Sequence, residues 1–94
     1  MIEWSKQAIR QLDQAYDCIA LSNGESVATQ VTSQIIKSIE RLAAFPMLGR
    51  VGRVSGTREL VVPDTPFVVA YTKQKKQVVI LAIYHGAQQW PDAF

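Results

Sequence analysis

The chain has 94 residues, a length that suits one compact domain over residues 1–94 and leaves no room for a second hydrophobic core. Hydrophobic residues make up 48% of it and charged residues 19%, which is typical of a folded protein and excludes intrinsic disorder. No apolar run of about 18 residues occurs, so we expect no membrane span. Cys18 is the single cysteine, which excludes an internal disulfide. The first residues lack the basic and apolar regions of a signal peptide, so we expect a cytoplasmic location.

The formal net charge is only +2, but the basic residues are unevenly distributed. Residues 1–49 contain four lysines and arginines against five acidic residues, whereas residues 50–94 contain six against three. The excess in the second part is compatible with nucleic acid and equally with an acidic protein partner. Most of these lysines are explained simply as exposed residues on a solvated surface, with no binding partner.

Two amphipathic helices are predicted in the first half of the chain. Ser5 is a suitable N-cap for a first helix over about residues 5–21, whose apolar side chains recur at helical spacing. Asn23-Gly24 ends this helix, because both residue types tolerate positive φ. A second helix over about residues 25–45 ends before Pro46. The two should form an antiparallel hairpin whose apolar stripes must be buried on the strands that follow.

The second half predicts a small antiparallel sheet. A glycine-rich loop leads to strands at about residues 58–62, 67–72 and 77–84, whose connections are short enough for hairpins. Residues 2–4 could add an edge strand. The last strand is apolar on both faces, so we place it centrally and under the helices.

The predicted fold is therefore α+β, with the N-terminal helical hairpin packed on one face of a three- to four-stranded antiparallel sheet. Burial of apolar surface should drive its formation. The expected core consists of Leu12, Ile19, Val31, Ile35, Leu42, Phe67, Val69, Val79 and Leu81.

Three arginines are candidates for binding an anion. Arg58 opens the first of the three strands, where its planar guanidinium could contact phosphate or an acidic partner, or simply pair with Glu59, Asp64 or Asp92. Arg50 and Arg53 lie among glycines, where backbone amides and guanidiniums can cradle a phosphate. Such glycine spacing is also common in plain loops, and the Walker pattern is absent.

His85, the only histidine, lies at the end of the last strand. With a lone Cys18 on a distant helix it cannot form a zinc site, so we expect no metal. A general base would need a nucleophile and orienting groups close by, and a ring that hydrogen-bonds the chain after the sheet is the simpler interpretation. Tyr71, Tyr84 and Trp90 could stack on bases, although aromatic residues at such positions more often pack in a core.

Four short phrases follow one another in the second half of the chain, Phe-Pro-x-Leu-Gly-Arg, Gly-x-Arg-Glu-Leu, Phe-Val-Val-x-Tyr and Ile-x-His-Gly-Ala-x-x-Trp-Pro. Together with the predicted order of two helices and three or four antiparallel strands, their order and spacing over residues 2–91 resemble the RelE/ParE superfamily of small bacterial toxins. The resemblance implies the toxin of a type II toxin–antitoxin system, of the kind associated with plasmid or prophage stabilisation. It also implies that the protein needs no cofactor. The expected partner is a cognate antitoxin with a disordered tail, and the toxin would reach the operator DNA only through this antitoxin.

The superfamily divides by target. RelE-type members cut messenger RNA on the ribosome, whereas ParE-type members share the fold and inhibit DNA gyrase. RelE-type chains carry a set of basic and acid–base residues on the sheet face and in the C-terminal segment. At the corresponding positions of this chain, Arg58 matches in charge and His85 remains as a candidate base. The other positions lack the charge or hydroxyl that would stabilise a phosphorane and move protons, namely Leu60, Val68, Gln88 and Phe94. The resemblance is therefore closer to the ParE type, and it implies growth inhibition through gyrase without catalysis.

Two alternatives stay open at this point. One is an endoribonuclease with a reduced catalytic set, Arg58 and His85. The other is an attenuated toxin that acts mainly as an antitoxin-binding co-regulator, because Gln88-Gln89 stand where ParE-like relatives commonly carry arginine. The residues expected to bind the antitoxin or the target are Arg50, Arg53, Arg58, Tyr71, His85, Gln88 and Trp90.

Overall fold

The computed structural model describes residues 1–86, 90, 91 and 94. Within them the predicted α+β fold is confirmed: two N-terminal helices pack on a mostly antiparallel sheet. No helix in this part of the chain is long and apolar enough to cross a membrane. The elements in order are β1 (Ile2–Trp4), α1 (Lys6–Asn23), α2 (Glu25–Glu40), a 3-10 helix (Arg41–Ala43), β2 (Arg50–Val51), β3 (Arg58–Val61), β4 (Phe67–Gln74) and β5 (Gln77–His85).

The start of α1 is fixed by Ser5, as the sequence predicts. The Ser5 hydroxyl accepts a hydrogen bond from the backbone N–H of Ala8 at 3.0 Å and donates one to the carbonyl of Leu81 at 2.9 Å. It therefore caps the helix and also ties it to β5. Gly24, with φ 96° and ψ 161°, ends α1 and begins α2. This backbone conformation is essentially restricted to glycine.

The second helix is shorter than predicted. Its α-helical part ends at Glu40, and the chain continues as the 3-10 helix Arg41–Ala43 instead of running to residue 45. The tighter turn accompanies the complete burial of Leu42, whose side chain joins the core. The α-helix therefore ends where Leu42 packs into the core, before the chain reaches Pro46.

The sheet has five strands in the order β1-β5-β4-β3-β2, one more than the upper prediction. β1 runs parallel to β5, and the other neighbours are antiparallel. The missed strand is β2, whose two residues, Arg50 and Val51, are too few to give an alternating pattern. Because β1 covers its outer side, β5 lies inside the sheet as predicted, and β4 is the middle strand.

A β-bulge in β5 corrects part of the predicted core. Ala70 pairs with Ala82 and Tyr71 with Ile80, so Leu81 is an extra residue between them. Val79 and Leu81 were expected in the core but are only partly buried. The side chains of β5 that face the helices are those of Val78, Ile80 and Ile83. Leu81 shifts the alternation by one position, which a periodicity of two cannot reveal.

The main core lies between the helices and the sheet. Of the predicted residues, Ile35, Leu42, Phe67 and Val69 are buried in it, whereas Leu12, Ile19 and Val31 are partly buried against it. A second, smaller cluster covers the opposite face of the sheet, which we call the helix-free face. It consists of Ala70, Ala82 and Tyr84, with Trp90 packed on them.

Candidate functional site

A buried glutamate organises the helix-free face. Glu59 pairs with Ala70 across the β3–β4 ladder, and its side chain is only 3% exposed. Its Oε2 accepts hydrogen bonds from the Arg53 backbone N–H at 2.8 Å and from Arg53 Nε at 3.1 Å. Its Oε1 accepts from Arg53 Nη2 at 3.4 Å and from Arg50 Nη2 at 3.3 Å. One carboxylate therefore anchors both loop arginines.

These contacts change the acidity of Glu59. Burial raises the pKa of its carboxyl, but the hydrogen bonds from Arg53 and Arg50 and the positive charge of Arg53 outweigh burial and hold the pKa below its usual range. The carboxylate is therefore charged at neutral pH. The side chains of Arg50 and Arg53 remain 60% and 49% exposed. Two guanidiniums share one carboxylate, so the cluster keeps one net positive charge at the surface.

Trp90 lies against the same cluster. The guanidinium carbon of Arg53 lies 4.0 Å from the centroid of the Trp90 ring, a cation–π contact. The Trp90 ring also packs on Tyr84, with 4.6 Å between centroids, and Phe94 lies 6.2 Å from Tyr84. The indole Nε1 is buried and finds no hydrogen-bond partner among the described residues. Glu59, Arg53 and Trp90 thus form one continuous arrangement.

Arg58 and Tyr71 pair across β3 and β4 on the face that carries the helices. Arg58 Nη1 donates to the carbonyl of Gly49 at 2.6 Å. The Tyr71 hydroxyl accepts from the Gly49 N–H and donates to the carbonyl of Pro46, both at 2.8 Å. Tyr71 is fully buried and Arg58 is half-buried, so these two candidates for binding hold the loop before β2.

Gly49 is required by the close approach of its neighbours. A Cβ at this position would lie 2.7 Å from the Tyr71 ring and hydroxyl and 2.8 Å from the backbone carbonyl oxygen of Glu59. The carbonyl cannot move without disturbing the β2–β3 ladder. The glycine in the Phe-Pro-x-Leu-Gly-Arg phrase therefore allows close packing against Tyr71 and β3.

His85 lies at the other end of the sheet. Its exposed ring meets Phe67 edge to face, with 5.7 Å between centroids. It lines a cavity of about 520 Å³ between the two helices and the ends of β4 and β5, together with Gln11, Cys18, Val27 and Val31. Most of the exposed wall of this cavity is apolar.

Arg58 and His85, the catalytic candidates of the nuclease alternative, are far apart. Arg58 pairs with Tyr71 and His85 pairs with Phe67, four positions earlier on β4. Four residues span roughly 13 Å along a strand, and β3 and β5 are separated by roughly 10 Å across β4. The fold therefore does not bring the two side chains together at one place.

A partly apolar surface surrounds β2 at the sheet edge. Leu48, Val51 and Val61 are 43%, 78% and 50% exposed, and Arg50 lies among them. A depression of about 320 Å³ beside this strand is lined in part by Arg41, Arg50, Leu48 and Val61. We call the set Leu48, Arg50, Val51 and Val61 the edge surface. It combines positive charge with exposed aliphatic side chains.

Comparison with known proteins identifies the family. The sequence model of the family described as "ParE toxin of type II toxin-antitoxin system, parDE" matches residues 2–90. The chain belongs to the ParE toxin family. It is 37% identical over 90 residues to "Putative toxin Y4kP" of Sinorhizobium fredii (strain NBRC 101917 / NGR234). The aligned region covers 96% of this chain and 92% of that protein.

A solved structure supports the same assignment. It is described as "Chromosomal ParDE TA system from P. aeruginosa" and aligns with a TM-score of 0.82 at 27% sequence identity. The alignment covers 89% of this chain and 92% of that one. The predicted resemblance to the RelE/ParE superfamily, closer to the ParE type, is thus confirmed.

In this ParE-family chain the predicted site residues fall into three groups. Arg50, Arg53 and Trp90 assemble around Glu59 on the helix-free face. Arg58 and Tyr71 hold the neighbouring loop, and His85 lies near the opposite end of the sheet. Gln88 lies outside the described residues.

The central role of Glu59 was not predicted from the sequence, which suggested this residue only as one possible partner for Arg58. One signal was available, because Glu59 is the only acidic residue between positions 41 and 63, where four arginines occur. Its partners are Arg50 and Arg53 instead.

Proposed function

We propose that this ParE-family toxin inhibits growth by binding DNA gyrase and blocking replication, without catalysing a reaction of its own. The separation of Arg58 from His85 carries the proposal. Cleavage of RNA needs a base for the 2′-hydroxyl and cationic groups around the same phosphorane. Here the candidate base lies beside Phe67 and the candidate cation beside Tyr71, four residues apart on β4 and on different neighbouring strands. A binding protein has no need to bring them together.

The remaining positions of a RelE-type site support the same proposal. Leu60 and Val68 are buried in the sheet, 7% and 8% exposed, and offer neither charge nor a proton. Phe94 lies near Tyr84 but carries no hydroxyl. Arg50 and Arg53 are held by Glu59, which directs them towards the loop and Trp90.

A cognate antitoxin is the second part of the proposal. We infer that an acidic, partly apolar segment of it, largely disordered alone, folds over the edge surface and the adjacent Arg53 and Arg58. β2 is the last strand of the sheet on this side, so its outer backbone groups are available to a further strand. The net positive charge around Glu59 and the exposed Val51 and Val61 match such a segment in charge and polarity.

Purified protein distinguishes the possible targets. We expect it to inhibit DNA supercoiling by gyrase and to leave ribosome-bound messages intact. His85→Ala should retain inhibition per folded molecule. Arg58→Ala, and removal of the residues after Gln89, should weaken it. Arg10→Ala, on the exposed face of α1, is the control for loss of a positive charge, and circular dichroism checks folding of each variant.

The same assays contain the outcomes that would contradict the proposal. Rapid cleavage of translated messages that is lost in His85→Ala would identify a ribosome-dependent endoribonuclease. Tight antitoxin binding without inhibition of gyrase or translation would identify an attenuated toxin that serves as a co-regulator. In cells that express the toxin without antitoxin, early induction of the DNA-damage response with intact messages is the expected result.

Hydrogen exchange of the complex tests the antitoxin surface. Backbone amides at Arg50–Val51 should become protected when the antitoxin binds, and Arg50→Glu should weaken binding by reversing the charge. Lys37→Glu on α2 is the matched charge reversal and should have a smaller effect. Protection restricted to the acidic outer face of α1, around Asp13 and Asp17, would refute this part of the proposal.

A further inference from the structure

We propose that Glu59 is a positioning residue that fixes Trp90 on the helix-free face, acting through Arg53. Inhibition of the target should depend on Glu59 although its buried side chain contacts no target. The functional half of this inference rests on the proposed gyrase inhibition. The structural half stands independently of it.

The first link joins a rigid strand to a flexible side chain. Glu59 is held in β3 between β2 and β4, and its carboxylate receives the backbone N–H, Nε and Nη2 of Arg53. Two side-chain donors on one carboxylate fix the plane of the guanidinium as well as its position. Arg53 would otherwise sample many rotamers from a loop with nearly half of its side chain in solvent.

The second link joins Arg53 to Trp90. With the guanidinium 4.0 Å from the Trp90 centroid, the orientation that Glu59 imposes is transmitted to the indole. On the sheet, Trp90 packs against Tyr84 and the cluster of Ala70 and Ala82. Trp90 is therefore held both by the sheet and by the Arg53 guanidinium.

A second anchor lies close to Trp90 in the sequence. The Gly86 N–H donates to the carbonyl of Pro66 at 2.6 Å, directly after β5. Gly86 and Trp90 are therefore both held by contacts, and in the sequence they flank Gln88, a residue expected to contact the antitoxin or the target. Loosening Trp90 should lower the population of the binding-competent arrangement.

Trp90 itself can report its own position. The chain contains two tryptophans, so Trp4→Phe leaves Trp90 as the only indole. In that background we would compare Glu59→Gln with Glu40→Gln, which alters an exposed glutamate at the end of α2 in the same way. The measurements are the emission wavelength and acrylamide quenching of Trp90, together with the concentration that half-inhibits gyrase.

Glu59→Gln should shift Trp90 emission to longer wavelength and increase its quenching, and it should weaken inhibition about tenfold. Glu40→Gln should change neither. Arg53→Lys, which keeps the charge but loses the planar fork, should reproduce the effects of Glu59→Gln. In the Arg53→Lys background, Glu59→Gln should add little, because the link is already broken. A merely structural role for Glu59 would not produce this dependence on Arg53.

Each outcome is decisive. Unchanged Trp90 fluorescence in folded Glu59→Gln would overturn the positioning role, and increased quenching with undiminished inhibition would overturn its functional importance. If Glu59→Gln does not fold, Arg53→Lys, which alters a half-exposed side chain, decides the same question by the same two measurements. If the unmutated protein does not inhibit gyrase, the proposed function fails, while the fluorescence still decides whether Glu59 positions Trp90.

Discussion

Replacement of Tyr71 by phenylalanine should be among the most destabilising single-atom changes in this fold. The Tyr71 hydroxyl bridges the Gly49 N–H and the Pro46 carbonyl, each at 2.8 Å, and the ring is fully buried. A net contribution of about 1 kcal/mol per hydrogen bond, plus the cost of leaving the buried Gly49 N–H unsatisfied, gives a loss of about 2–3 kcal/mol. The shape of the ring is unchanged, so no cavity larger than the missing oxygen adds to this value.

Urea unfolding followed by circular dichroism measures this loss. The midpoint should fall with no change in the dependence on urea concentration, and the melting temperature should drop by roughly 10–20 °C for a domain of this size. Tyr16→Phe removes the same atom from a partly exposed tyrosine of α1 and should change stability by less than about 0.5 kcal/mol. If Tyr71→Phe were as stable as Tyr16→Phe, the hydroxyl would not hold the loop before β2, and the reasoning would be refuted.

Three further predictions concern stability. Gly49→Ala should destabilise the fold by at least about 2 kcal/mol, since its Cβ would meet the carbonyl of Glu59 at 2.8 Å, and thermal unfolding would show a fall in melting temperature. Gly24→Ala should cost about 1–3 kcal/mol from backbone strain alone, because nothing lies within 4 Å of its Cβ, and a urea midpoint equal to that of the unmutated protein would contradict this. Folding lowers the pKa of Glu59, so its carboxylate contributes to the free energy of unfolding. This contribution is fully present above the pKa of an unfolded glutamate, about 4.3, and is lost as the pH falls through the lower pKa of the folded state. Unfolding free energies measured from pH 6 to pH 2 should therefore decline less steeply in Glu59→Gln.

The sequence by itself determined the helical hairpin and the fold class. Ser5 and Gly24 act through hydrogen bonds and dihedral angles within a few residues, so their roles can be predicted without knowing what lies across the fold. The strands β3 to β5 were also predicted, because each alternates or is continuously apolar between clear turn signals. The order of four short phrases was sufficient to indicate the family.

Only the tertiary structure decided the pairing of distant groups. The extra residue Leu81 reversed the alternation in β5, and the two-residue strand β2 formed because β3 offered an edge beside it. The same long-range register separated Arg58 from His85 along β4 and gathered Arg53 and Trp90 around Glu59. The physical reason is that a shift of one residue in strand register moves every side chain to the other face, and no local preference specifies that register.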